Sequence, residues 1–302
     1  MKLFKSIIRK LPYARGLYAE VQNFKKNSCY PAGHYYSPIV SVDEIKRREK
    51  DIWKGAAIDG IAGIDLNTDR QRSLAIDLSK YYEEMPFEEN PVEGLRYKFD
   101  NNMYRHTDGI LLYGMLRHLA PKRIIEVGSG HSSALMLDVN QRFFNNEIDL
   151  TFIEPYPERL FSTITDTDKV STTIFERDLQ EMEVSYFKNL GKGDILFIDS
   201  THIAKCGSDV NYILFEILPA LHPGVFIHFH DIFYPFEYPK GWVYGGRNWN
   251  ENYILRAFLM NNENYKIQLF SDYLHKHHSD VFEKMPLAYK DFGGDIWLEK
   301  IK

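Results

Sequence analysis

From residue 123 onward, short apolar runs alternate with amphipathic stretches, and each run stops at glycine, proline or a polar cluster. Ile124, Ile125 and Val127 open the series. Their β-branched side chains predict a strand buried on both faces. Gly128 and Gly130 break that run, and Ser132 and Ser133 are placed to cap a helix opening at Ala134. The same alternation predicts strands at 151–153, 170–175, 194–199 and 225–231. Ser208 or Asp209 caps a helix that ends near Leu221, ahead of Pro223-Gly224. A helix at 252–260 and strands at 265–270 and 295–298 close the series. Strand and helix in alternation predict an α/β fold with a doubly wound, Rossmann-like, mostly parallel sheet.

Ahead of residue 123 the pattern is helical and looser. Ser41 and Glu44 read as a capping box for a helix at 42–50, and 70–82 reads as another helix. Pro86 and Pro91 interrupt. Residues 97–108 are too polar for a core segment, and read either as a lid on a pocket or as a solvated loop. Asp108 is placed to cap a helix at 109–118. In the first 26 residues, Leu3, Phe4, Ile7, Ile8 and Leu11 recur at helical spacing among seven basic residues. Two readings stand for residues 1–25: a helix lying on an anionic membrane surface, or one docking on the protein's own body or a partner. His34, Tyr35 and Tyr36 either line a substrate entrance or pack the extension. With no internal repeats, the chain divides into a helical N-terminal extension, 1–94, and one catalytic domain, 95–302.

Composition narrows the classes. A chain of 302 residues can bury a real core, and its net charge of −5 gives no general affinity for nucleic acid. Two cysteines, Cys29 and Cys206, form no disulfide framework and suit a reducing, cytoplasmic setting. No run reaches the length of a transmembrane helix.

The chemistry gathers where strands end. At the first corner Glu126, Gly128, Ser129, Gly130, Ser132 and Ser133 make a glycine turn with serine at the third glycine place and an acid two residues ahead. That acid suits a ligand with a cationic amino-acid end, whereas a bare pyrophosphate would want only amides. Glu154 follows the second strand and can accept from two ribose hydroxyls. Asp178, past the third, can accept from an adenine amino group. Asp199 and His202 stand at the carboxyl end of the fourth strand. On the fifth, His228 and His230 share one face and Phe229 and Asp231 the other. His228 reads as a satisfied buried histidine. The aromatic stretch 232–249 reads as a wall for an acceptor.

Five stretches then resemble one family: Ile-Ile-Glu-Val-Gly-Ser-Gly-His-Ser-Ser, Phe-Ile-Glu-Pro-Tyr-Pro-Glu-Arg-Leu, Asp-Ile-Leu-Phe-Ile-Asp-Ser-Thr-His, Gly-Ser-Asp-Val-Asn-Tyr and Val-Phe-Ile-His-Phe-His-Asp-Ile-Phe-Tyr-Pro-Phe-Glu-Tyr-Pro. They are similar to bacterial class I methyltransferases dependent on S-adenosylmethionine (SAM), of the methyltransferase domain 24 type. The likeness runs from about residue 95 to the end. It implies a seven-stranded sheet with one antiparallel strand and SAM at the carboxyl ends of the first strands. It also hints at O-methylation of a hydroxyl on a sugar, glycan or small molecule. The metal-dependent catechol O-methyltransferases offer a second comparison. Asp199 stands where they carry an Asp, His202 where they carry a lysine base, and His230-Asp231 where they carry Asp-Asn. This implies a divalent cation, Mg²⁺ or another, on Asp199, His230 and Asp231, and catalytic roles for Asp199, His202 and Asp231. Two rivals stand beside this reading. An NAD(P)-dependent oxidoreductase is opposed by Ser133 and Glu126. A non-catalytic scaffold in a glycan assembly complex is opposed by His202 and Asp231. Oligomeric state is open.

Overall fold

The computed structural model describes residues 12–302. The apolar pattern at Leu3 to Leu11 lies outside the described residues. The chain forms two compact units. One holds the residues up to Trp53 together with Pro239–Asn248; the other holds Lys54–Tyr238 and Trp249–Lys302. Residues 54–94, expected with the extension, therefore lie in the larger unit.

In the smaller unit the helix Pro12–Asn27 buries none of its residues. The helix Val42–Arg47 starts at Ser41, whose Oγ accepts from the Glu44 N–H at 3.4 Å. Glu49 ties the inserted segment to this part: it accepts from Lys240 Nζ at 2.7 Å and from the Tyr244 hydroxyl at 2.6 Å.

The larger unit is built on seven strands: β1 (Arg123–Val127), β2 (Asp149–Ile153), β3 (Thr173–Phe175), β4 (Ile195–Ile198), β5 (Phe226–His230), β6 (Tyr265–Phe270) and β7 (Asp295–Lys300). Their order is β3-β2-β1-β4-β5-β7-β6. Strands β1 to β5 pair in parallel, and β7 runs antiparallel between β5 and β6. Every residue of β4 and β5 is buried, as strands covered on both faces require. The order reverses between β1 and β4, so the crevice for a ligand opens at their carboxyl ends.

Several expectations shift. Val170 is not in β3; it is 89% exposed on the helix Asp166–Ser171. Thr165 and Asp168 hold that helix start, each side chain bonding the other's backbone N–H. Residues 97–108 are no solvated loop. Tyr97, Phe99, Tyr104 and His106 are buried, and Phe87, Tyr97 and Phe99 meet edge to face. The core takes alternate residues while the polar ones between them face out. Asp108 is no cap either: its helix starts earlier, at His106, and Asp108 is buried in the first turn. Ser208 does cap, accepting from the Asn211 N–H. The helix it opens widens to a π turn at Ile213–Ile217. Pro219 lies in the next turn and has no N–H to give, so the regular ladder cannot continue there. Among the described residues no helix is long and apolar enough to cross a membrane.

Candidate active site

At the β1 corner the backbone carries the geometry. Gly128 has φ +76°, and a Cβ there would lie 1.9 Å from the Asp199 carbonyl oxygen. Only glycine fits. The Gly128 N–H donates to the Ile153 carbonyl at 3.0 Å, and the Asp199 N–H donates to the Val127 carbonyl at 2.8 Å. The ends of β1, β2 and β4 are thus stitched together.

Glu126 is fully buried beneath this turn. Ser132 Oγ donates to one of its oxygens at 2.5 Å and Ser133 Oγ to the other. Ser133 Oγ in turn accepts from the Gly130 N–H at 2.9 Å. Burial pushes the Glu126 carboxyl up to about 8, with the serines pulling the other way. Both carboxyl oxygens are therefore spent inside the turn, and the structure does not bring Glu126 to a cavity wall. Ser129 is buried, and its N–H donates to Glu154 Oε2 at 3.0 Å. The other oxygen of Glu154 accepts from the Tyr156 N–H at 2.8 Å.

A cavity of about 330 Å³ opens above these strand ends. Gly128, Glu154, Asp178 and Asp199 line it, with Ser200 and Asp209 beyond them. Of the nine residues expected to bind a cofactor, these first four reach the cavity. Glu126, Ser129, Gly130, Ser132 and Ser133 shape the turn behind it.

Asp199 is shared with a second assembly. Its Oδ1 lies 3.3 Å from His230 Nδ1 and 3.4 Å from His202 Nε2. His202 Nε2 is also 3.5 Å from Asp231 Oδ2, and His230 Nε2 is 3.6 Å from Asp108 Oδ2. The far nitrogen of His202, Nδ1, meets Glu251 Oε2 at 2.8 Å. The charges set the protonation. Burial pushes the Asp199 carboxyl up, but His230 and His202 more than reverse this and hold it well below the usual carboxylate range. Burial lowers the His202 imidazole, yet Asp199 and Glu251 raise it to about 10. Burial lowers His230 too, and Asp231, Asp199 and Asp108 hold it well above its ordinary value. Asp108 is lifted to about 6 by burial, with His230 opposing. In this arrangement the surrounding carboxylates favour the protonated form of both imidazoles.

Two of these residues hold strained backbone. His202 has φ +60° and Asp231 φ +59°, conformations that cost a side-chain-bearing residue about 1–2 kcal/mol. The segment after Trp249 holds the first. The Asn250 and Glu251 N–H groups both donate to the His202 carbonyl, at 3.1 and 3.2 Å. Trp249 lies over the His202 ring, centroids 4.3 Å apart. Of the expected aromatic wall, Phe233, Tyr234, Phe236, Tyr238 and Trp249 belong to the larger unit.

His228 and His230 do share a face, with rings 6.2 Å apart. His228 is buried, stacked on Phe197 at 3.9 Å, with its Nε2 3.5 Å from Asp295 Oδ2. Sequence reasoning did not single out Glu251, and read Asp108 as a helix cap and not as a partner of His230. Each is an acid in the first turn of a helix, which reads as a cap or a dipole partner.

Oxygens of Asp199 and Asp231 and a nitrogen of His230 all lie within 4.8 Å of one another. Hard oxygen donors with one imidazole fit Mg²⁺, Mn²⁺ or another first-row divalent ion.

Residues 125–232 match the family described as Methyltransferase domain, Methyltransf_24. A protein of Archaeoglobus fulgidus, named only as uncharacterized, is 28% identical over 190 residues, 62% of this chain and 86% of its own. Among solved structures, the SAH-bound Podospora anserina methyltransferase PaMTH1 is 14% identical, with 91% of this chain and 99% of that one covered and a TM-score of 0.43. The O-methyltransferase TomG from Streptomyces achromogenes, in complex with SAM, is 14% identical over 86% of this chain and 99% of its own, with a TM-score of 0.42. The family match spans β1 to the end of β5, the part of the sheet that carries the corner, the cavity and the imidazole cluster. Residues 125–232 are thus similar to the methyltransferase domain that this family describes.

Proposed function

We propose that the protein transfers a methyl group from SAM to a hydroxyl oxygen of a sugar, glycan or other small acceptor. The observation that carries this reading is the double membership of Asp199. It lines the cavity at the β1–β4 switch point and also binds both imidazoles.

The corner supplies the cofactor side. Gly128, Ser129, Gly130, Ser132 and Ser133 set the turn, and buried Glu126 fixes the two serines. Glu154 accepts from ribose hydroxyls, and Asp178 from the adenine amine. SAM would supply an electrophilic methyl on a sulfonium, and Asp199, which lines the cavity, would offset that positive charge. Transfer is an in-line displacement, so alignment of acceptor oxygen, methyl and sulfur does most of the work.

An alcohol needs a base or a nearby cation to become nucleophilic at neutral pH. His202 is the base in this reading. It carries a proton as long as Asp199 and Asp231 face it unopposed. A positive charge brought to those carboxylates opposes the charges that raise the imidazole, and frees Nε2 to take a proton. Glu251, on Nδ1, keeps the ring turned so that Nε2 faces the reaction. Asp199, His230 and Asp231 are the residues that would hold a divalent cation, which would lower the pKa of the acceptor hydroxyl.

Isothermal titration with S-adenosylhomocysteine (SAH), with and without Mg²⁺, tests this. Micromolar binding supports the cofactor, and a gain with Mg²⁺ supports the metal at Asp199 and Asp231. No binding in either condition overturns the reading.

A further inference from the structure

Charge is divided unevenly between the two units. The smaller one carries thirteen basic and five acidic residues, a net of +8. That leaves 24 basic and 37 acidic residues, a net of −13, on the larger. The segregation is sharpest at the start of the chain: Lys2, Lys5, Arg9, Lys10, Arg15, Lys25 and Lys26 stand against Glu20 alone in the first 27 residues.

The helix Pro12–Asn27 lies within this basic stretch of the sequence. Tyr13, Leu17, Val21 and Phe24 recur every three or four residues and so form one stripe. All four are exposed, Tyr13 by 80% and Val21 by 48%, and no residue of the helix is buried. Close by in sequence, Tyr30, His34, Tyr35 and Tyr36 stack on one another, and Tyr35 is 81% exposed. An apolar stripe exposed to this extent costs hydration free energy.

We infer that the smaller unit docks on an anionic bilayer, with Leu17, Val21 and Phe24 entering the interface, the basic residues facing lipid headgroups and the tyrosines at headgroup level. Each part of the surface has a use there. Lysine and arginine gain from the negative surface potential of anionic lipid. Leucine, valine and phenylalanine gain from leaving water at the acyl boundary. Tyrosine, apolar in body and polar at its tip, suits the headgroup zone. A second copy of the chain would bring +8 against +8. Nucleic acid would meet the charge but give Leu17 and Val21 nothing to enter. The inference rests on this unit alone and does not depend on the methyltransferase reading.

The test is co-sedimentation of the full chain with phosphatidylcholine vesicles, with and without phosphatidylglycerol. Binding only to the anionic vesicles, weakened by high salt, is expected. The variant R15A/K25A/K26A should partition about a hundredfold more weakly, from three lost headgroup attractions. L17S/F24S should lose at least about tenfold at unchanged charge. Failure to sediment with either vesicle overturns the inference, as does equal binding to both. So does sedimentation velocity showing that Leu17 and Phe24 serve to pair two copies. Thermal unfolding of the same variants by circular dichroism is read in parallel. If the transition is unchanged, a loss of partitioning reports on the surface and not on unfolding.

Discussion

The β1 corner and the imidazole cluster meet at Asp199, yet they are made of different things. The corner is backbone. Gly128 passes under the Asp199 carbonyl, amides of Ser129 and Tyr156 fix Glu154, and the buried acid Glu126 is locked to its own two serines. The turn itself, Glu126 to Ser133, lies within a few residues, the ends of β2 and β4 bring Glu154 and Asp199 to it, and its precision comes from the chain path. The cluster is side chains. Asp108, Asp199, His202, His230, Asp231 and Glu251 arrive from helices and strand ends scattered along the sequence, and their side chains are held together by charge and contact. A backbone device should fail by losing its fold. A side-chain device should fail by losing its chemistry.

The largest expected effect breaks the corner. Gly128→Ala puts a Cβ against backbone that cannot yield, in a left-handed conformation. It should cost at least about 3 kcal/mol in chemical unfolding and abolish SAH binding. Near-normal stability with SAH still bound would show that the β1–β4 contact is slack and the contrast misplaced.

Next comes the cluster. His202→Asn keeps a residue that tolerates a positive φ while removing the imidazole. With an acceptor that the wild type methylates, turnover should fall about a thousandfold, within the range for a lost general base in a charged site. SAH affinity should stay within about threefold. Equal losses in both would place His202 in the cofactor site instead.

Legibility follows the same division. β1, β2, β4, β5, β6 and β7 and the glycine turn could be read because each is coded by neighbours in sequence. Strand β3 was overrun at Val170, where the bonds between Thr165 and Asp168 outweigh a β-branched residue's preference for strand. Arg96 adds to that grip, bonding Asp168 at 2.6 Å from a distant loop. In the cluster, Asp199, His202, His230 and Asp231 were legible because sheet topology places ligands beyond strand ends. Glu251 and Asp108 were not. Nothing local marks an acid in a first helical turn as the partner of a histidine 49 residues away. The partners of Glu126 were not legible for a related reason: its position next to the turn is plain, but that Ser132 and Ser133 both bond it depends on the path of the turn.

That inward acid gives the third effect. Folded Glu126 keeps its proton up to about pH 8, while the unfolded chain releases it near 4.5. Between those values the folded state binds the extra proton, so rising pH draws the equilibrium toward unfolding. Wild type should lose about 3 kcal/mol from this group between pH 5 and pH 8. Glu126→Gln has no proton to lose. Urea unfolding at the two pH values should show the variant's stability changing less by that amount. Parallel curves would mean that the serines stabilise the anion as well as they do the acid.

The smallest effect is the most telling about the corner. Asp178 lines the cavity but is exposed, and its side chain makes no cap bond to the short helix it precedes. If the cofactor side is held mainly by chain path, with Glu154 locked by two amides, then Asp178 adds one hydrogen bond made in competition with water. Such a bond is worth about 1 kcal/mol. Asp178→Ala should weaken SAH by about tenfold or less, with turnover at saturating cofactor unchanged, because an adenine contact lies far from the transferred methyl. A loss of several hundredfold would mean that a single exposed side chain, and not the backbone, carries recognition. The corner would then belong with the cluster, as a side-chain device on a backbone frame.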